Sequence, residues 1–193
     1  MNKNWFSIPI YHKDSILSQQ EIQQLSNGFL ILKENNLLKN YNGTSLLNYN
    51  TNIFSALDYL NLNNIKEKIR LYCNDYLINC NVKFRNIEIE QNWLIGYNKN
   101  EYQGEHNHGY KDNHVSGVVY IRVPASSSPI TFLSSNPFSD HIVVKDFESV
   151  NYIPTEGMII IFPSFLKHKV LPNVNITGEE LRLGLSFNAR VTV

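Results

Sequence analysis

Six histidines punctuate this sequence of 193 residues, and His106, His108 and His114 crowd into one short stretch. That stretch reads Tyr102-Gln-Gly-Glu-His106-Asn-His108-Gly109, and Gly104 and Gly109 mark a tight, exposed turn around it. If His106-Asn107-His108 is extended, the period of two along a strand turns both imidazoles to one face. Two neutral imidazoles so placed can take adjacent positions on a transition metal. A polar surface turn that merely contains histidines is the alternative for an isolated H-x-H.

Two downstream residues add to this pair. His168 follows an apolar run over residues 158–162 and Pro163, so a short loop presents it beyond a strand. Arg182 stands between Leu181 and Leu183, and 182 − 168 = 14 residues separate it from His168. A strand, a hairpin and a returning strand would set Arg182 beside His168 across one ladder. A buried arginine between leucines needs an anionic partner. The alternative is an edge-strand arginine in solvent.

The elements that must position these residues change character along the chain. Residues 16–80 carry helical signals. Ser18 and Glu21 form an S-x-x-E capping box, followed by Ile22, Leu25, Phe29 and Leu32 at helical spacing, with Gly28 as an interruption. A second helix is expected after Asn64, with Glu67 three residues on and Ile65, Ile69, Tyr72 and Tyr76 on one face. The intervening YNGTSLLNYNTN, residues 41–52, is rich in turn formers and reads as loop. From residue 82, VKFRNIEIE, NWLIGY, SGVVYIRV, PITFL, HIVVK, GMIIIFP and LRLGLSFNARV form short β-branched and aromatic runs. Such runs without intervening helices predict a mainly β fold with N-terminal helices, a double-stranded β-helix or jelly roll. The expected organisation is one domain over 1–193. Its helical part, 1–81, packs on the outside of a sheet, and its jelly-roll core spans 82–193. Two separate domains are the alternative.

Composition narrows the function. Lys plus Arg and Asp plus Glu both number 17, so no net charge favours nucleic acid, and a small-molecule or peptidyl substrate fits better. No apolar run reaches the ~18 residues that a membrane span needs. The start, MNKNWFSIPIYHKD, lacks a long apolar segment, so a cytoplasmic location is expected and the sequons at Asn42 and Asn175 carry no weight. Cys73 and Cys80, seven residues apart on a helix, lie about 10 Å from one another, too far for a disulfide. Reduced thiols follow. Nothing in the sequence sets the oligomeric state.

Taken in order, NWLIGYNKNEYQGEHNHG, SGVVYI, PITFLSSNP, GMIIIFPSFLKHKVLPN and RLGLSFN resemble the Fe(II)/2-oxoglutarate-dependent oxygenase superfamily. Within it they are most similar to a branch of small bacterial and phage proteins related to prolyl hydroxylases. The resemblance implies that His106 and His168 are iron ligands. It implies that Arg182 binds the distal carboxylate of 2-oxoglutarate through its planar fork. Tyr97 then faces the cosubstrate, and Ser186, which shares a strand face with Arg182, Gly184 and Asn188, assists. Fe(II) and 2-oxoglutarate are the implied cofactors, with ascorbate as a reductant, and dioxygen is a reactant. The implied reaction hydroxylates a C–H bond of a peptidyl side chain, such as proline, or of a small molecule. Trp93, Tyr102, Tyr110, Tyr120 and Asn188 are candidates for the substrate groove, and the segment after Tyr110 is a candidate lid.

Two departures stand out. The superfamily usually reads H-x-D or H-x-E, whereas His108 holds the carboxylate position here. The third ligand is therefore His108 or, alternatively, Asp112 or Glu105, with His114 a further outsider. Gly184 replaces the serine of a common R-x-S pattern. Two other readings compete: a three-histidine, cupin-like dioxygenase without 2-oxoglutarate, which needs no Arg182, and a non-enzymatic jelly-roll binding module, which needs no iron.

Overall fold

Helix α1 (Gln19–Glu34) begins as its spacing predicts. The Ser18 hydroxyl accepts from the Glu21 N–H at 3.3 Å, and the Glu21 carboxylate accepts from the Ser18 N–H at 2.8 Å. Leu25, Phe29 and Leu32 then point into the core. These observations come from a computed structural model that describes residues 7–41, 45–47, 55–109, 112–125, 127–134, 149–174 and 181–193. The sequons, Tyr110 and the run HIVVK lie outside the described residues.

Helix α3 (Asn63–Asn79) buries Ile65, Ile69 and Tyr76 as expected but starts differently. Leu62, not Asn64, occupies the N-cap, and no side chain caps the helix. Glu67 bonds Arg70 one turn on instead of reaching back. Hydrophobic anchoring replaces the polar cap. Leu62 is buried, and its N–H bonds the Leu57 carbonyl of α2 (Ala56–Tyr59) at 2.8 Å. Cys73 on α3 is buried, Cys80 just beyond it is half-buried, and both are free thiols.

The expected loop between the helices holds two short strands, β2 (Lys39–Tyr41) and β3 (Ser45–Leu47). They pair as a hairpin, and β3 adds to the edge of β4 (Asn86–Tyr97), Leu46 opposite Gly96 and Leu47 opposite Ile95. Turn-rich composition hid them because pairing with a pre-existing edge, not intrinsic propensity, holds such short strands. β4 itself joins VKFRNIEIE and NWLIGY into one strand of 12 residues.

The remaining strands are β1 (Tyr11–Lys13), β5 (Gln103–His106), β6 (Val115–Arg122), β7 (Ile130–Leu133), β8 (Ser149–Tyr152), β9 (Ile159–Pro163), β10 (His168–Val170) and β11 (Arg182–Thr192). Among the described residues they form two antiparallel sheets, ordered β1-β9-β6-β11-β4-β3-β2 and β5-β10-β7-β8. This is a double-stranded β-helix. The helices cover the outer face of the larger sheet, where Leu25, Phe29, Ile65 and Ile69 pack with Ile87, Val119, Ile159 and Leu185. Between the sheets, Tyr120, Ile130, Phe132, Ile160, Phe162 and Leu166 form a second cluster. β9 is thus buried on both faces, which explains its unbroken apolar run. Gly117 on β6 permits this packing, because a Cβ there would stand 2.5 Å from the Ile160 carbonyl oxygen.

One expectation fails at this level. β10 pairs with β5 and β7, whereas β11 pairs with β4 and β6. His168 and Arg182 are therefore not ladder neighbours. The chain crosses from the smaller sheet to the larger between them, and the two side chains line one cavity from opposite sheets.

Candidate active site

Antiparallel pairing of β5 with β10 sets His106 directly opposite His168. The strand ends at His106, so H-x-H alternation alone does not orient His108. Its backbone N–H bonds the Ser164 carbonyl at 2.8 Å, and this tie holds the segment against the turn between β9 and β10. The ring centroids of His106 and His168 are 4.3 Å apart, with His108 5.0 Å from His106 and 5.2 Å from His168. One nitrogen from each ring lies within 4.8 Å of the others.

Two of the rings are oriented by backbone. His106 Nδ1 lies 2.8 Å from the Gly104 carbonyl oxygen, and His168 Nδ1 lies 2.9 Å from that of Leu166. A carbonyl only accepts, so each Nδ1 carries the hydrogen and each Nε2 is left bare. Burial lowers the pKa of all three: His106 moves down, and His108 falls to about 4 and His168 to about 3, neighbouring imidazoles adding to the shift in these last two. Neutral imidazoles with fixed tautomers are the form that binds a metal. Three nitrogen donors fit iron, although they equally suit other late first-row ions.

The other candidate ligands lie elsewhere. Asp112 is exposed at the cavity mouth, outside the histidine cluster. Glu105 pairs with Lys167 at 3.0 Å, and His114 Nδ1 accepts from the Val191 N–H at 3.0 Å.

The cavity, of about 680 Å³, runs on to Arg182. Arg182 is 2% exposed and has no carboxylate partner among the described residues. Its guanidinium donates to the Ser128 carbonyl and sits 5.6 Å from the ring of Tyr97 and 5.4 Å from that of Tyr120. The buried Tyr120 hydroxyl makes no well-formed hydrogen bond among the described residues. Burial raises the pKa of both phenols, so both stay protonated. A buried cation with no carboxylate partner among the described residues and a buried phenol hydroxyl thus stand side by side in the cavity.

Register places the rest. Arg182, Gly184, Ser186 and Asn188 of β11 line the cavity, opposite Tyr97, Ile95, Trp93 and Gln91 of β4. The Trp93 ring is 5.7 Å from His108. Tyr102 does not join them: it is 43% exposed, and Gln103 is the neighbour that lines the cavity. The sequence reading offered Tyr120 for the substrate groove, and in the structure it lines the cavity beside Arg182. That reading missed Gln91 and Ser116, which alternation along β4 and β6 would have revealed.

A family model described as "Putative 2OG-Fe(II) oxygenase" matches residues 91–188. No curated protein matches. Among solved structures, a Pseudomonas putida prolyl-4-hydroxylase is 15% identical with a TM-score of 0.64, covering 95% of this chain and 94% of that one. A viral collagen prolyl hydroxylase from Paramecium bursaria Chlorella virus-1, in its 2OG complex, is 15% identical with a TM-score of 0.59, covering 95% and 96%. The epimerase SnoN, in complex with Fe3+, alpha ketoglutarate and nogalamycin RO, is 11% identical with a TM-score of 0.71, covering 95% and 79%. At these identities the likeness speaks for the fold.

Proposed function

From the premise that this chain belongs to the 2OG-Fe(II) oxygenase family, we propose that it hydroxylates a C–H bond of a peptidyl side chain, proline among them, or of a small molecule. His106 and His168 would hold the iron through their bare Nε2 atoms together with His108, and Asp112 is the alternative third ligand. Bound iron with 2-oxoglutarate and dioxygen supplies the oxidising power, and succinate and carbon dioxide leave. Arg182 takes the distal carboxylate, and the Tyr120 hydroxyl donates to it. Tyr97 packs against the guanidinium, keeping water away, and Ser186 offers a hydroxyl further along the same face. Low polarity around these donors strengthens each of them. Trp93 and Asn188 lie on the substrate side.

The observation that carries this reading is the buried Arg182, which has no carboxylate partner among the described residues and stands beside the buried Tyr120 hydroxyl, in the same cavity as three converging neutral histidines. A dioxygenase that ignores 2-oxoglutarate has no use for that pair. The test is anaerobic: Fe(II) and then 2-oxoglutarate are added while the visible spectrum is recorded. A weak charge-transfer band requiring both additions is expected, and its absence with iron bound would sink the reading. Arg182→Ala should raise the 2-oxoglutarate concentration required by at least about tenfold while iron stays bound. His106→Ala and His168→Ala should lose iron. Of His108→Ala and Asp112→Ala, the former should weaken the metal site and the latter should not.

A further inference from the structure

The cavity is graded along β11. Each pair of strand residues advances about 6.7 Å, so Asn188 lies roughly 20 Å from Arg182 along the strand. Trp93, beside His108, marks the level of the histidines, and Gln91, Asn188 and Ser116 stand one step beyond it. That far end is built with care. Ser116, Ser164 and Asn188 are 1%, 1% and 2% exposed. The Ser116 hydroxyl donates to Asn188 Oδ1 at 2.7 Å, which leaves Ser164 to donate to Ser116 at 2.8 Å. Asn188 Nδ2 in turn donates to Gln91 Oε1 at 2.9 Å. The Gln91 carbonyl is thereby occupied, and its two N–H donors have no partner among the described residues. Asn107 repeats the pattern, since its Oδ1 accepts from the Gly109 N–H at 3.3 Å and its amide nitrogen is left over. Both residues line the cavity.

Charge adds a second constraint. Arg182 is the only lysine or arginine among the described residues lining the cavity, and it stands at the opposite end. Among the described residues, the ionisable groups that line the polar end, apart from the histidines, are Glu90 and Asp112. Glu90 is paired with Arg190 at 2.8 Å, and Arg190 also serves Glu88 at 3.1 Å. Among the described residues, an entering anion would meet carboxylates and a cation, Arg190, already paired with two of them, and would exchange its hydration for neutral amides.

We infer that this end is the substrate subsite and that it takes an uncharged group rich in hydrogen-bond acceptors, seated on the Gln91 amide, while rejecting carboxylates and phosphates. The inference rests on the oxygenase reading above, which assigns the Arg182 end to the cosubstrate. Trp93 supplies an apolar face for the body of the substrate, and the relay from Ser164 to Gln91 fixes which end of the Gln91 amide faces the cavity.

The test uses two probe pairs that differ in charge: N-acetylprolinamide against N-acetylproline, and methyl glucoside against methyl glucuronide. Binding is followed by ligand-observed NMR with Zn(II) in place of iron and 2-oxoglutarate saturating, so that Arg182 is occupied. The neutral member of at least one pair should bind at least about tenfold more tightly than its carboxylate. Which pair responds tells whether the group is an amide carbonyl or a hydroxyl. Gln91→Met, similar in size but without donors, should weaken the neutral probe by about tenfold, and Gln91→Arg should turn the preference toward the carboxylate. Carboxylates binding as well as neutral probes, neither neutral probe binding, or a preference indifferent to position 91 would each overturn the inference. Failure of the Fe(II) and 2-oxoglutarate band would overturn the oxygenase reading instead, because that measurement involves no probe.

Discussion

His108 shows how a single residue can be legible in type yet not in placement. Its spacing from His106 admitted a metal ligand or a polar turn, and its position comes from a backbone bond to Ser164, a contact 56 residues away (164 − 108 = 56). Arg182 was legible for the opposite reason: leucines on both sides made burial, and hence an anion, the consistent reading. Tyr120 was offered only for the substrate groove, because an aromatic on a strand gives no hint of which neighbour its hydroxyl meets. Tyr120→Phe removes only that hydroxyl, so it should raise the KM for 2-oxoglutarate by about tenfold or more, on the order of the ~1.5–3 kcal/mol of one hydrogen bond to a charge, and leave iron affinity alone. Steady-state succinate formation checks the first and metal titration the second. The histidines also make stability depend on pH. An unfolded histidine binds its proton near pH 6.5, whereas the folded values fall to about 4 for His108 and about 3 for His168. Between those limits the unfolded chain holds more protons, so stability rises with pH and falls as pH drops from 6.5 toward 4. The metal-free protein should show a falling Tm over that window, and His168→Gln should flatten the slope. An unchanged slope in the variant would remove His168 from the account.

At the scale of elements, Asn92 explains why β4 was read as two runs. An asparagine between apolar residues looks like a turn former, yet this one is fully buried within the strand. Its Oδ1 accepts from the Leu57 N–H at 2.8 Å, and its Nδ2 donates to the Ser55 hydroxyl at 2.8 Å. The side chain thus ties the start of α2 to the sheet and satisfies a donor that the short helix cannot. Asn92→Ala would orphan the buried Leu57 N–H, and a loss of about 1–3 kcal/mol is expected in urea unfolding. A loss below a few tenths would mean that water replaces the amide. Strongly periodic or capped segments, α1 above all, were readable because their determinants are local. The start of α3 and the strands β2 and β3 were not, because burial of Leu62 and pairing with β4 are tertiary facts.

For the whole molecule, the alternation of short strands was enough to expect a jelly roll, but not which sheet each strand joins. Pairing between residues far apart in sequence carries no local signature, so the crossing between β10 and β11 stayed hidden. Ligand linkage is the property that belongs to this scale. A metal that binds only the folded histidine cluster raises the unfolding midpoint by mass action, and 2-oxoglutarate should raise it further only when metal is present. Differential scanning fluorimetry with Zn(II), 2-oxoglutarate and both would show this. An equal shift from 2-oxoglutarate alone would place the cosubstrate away from the metal. The division of the site between sheets also bears on how such a protein can diverge. The three histidines come from β5, β10 and the segment between β5 and β6, whereas Arg182 comes from β11, so the two sets share no strand and no ladder. Inheritance can therefore act on them separately: a lineage can exchange the ligand just beyond β5, histidine for carboxylate, without disturbing the anchor on the larger sheet.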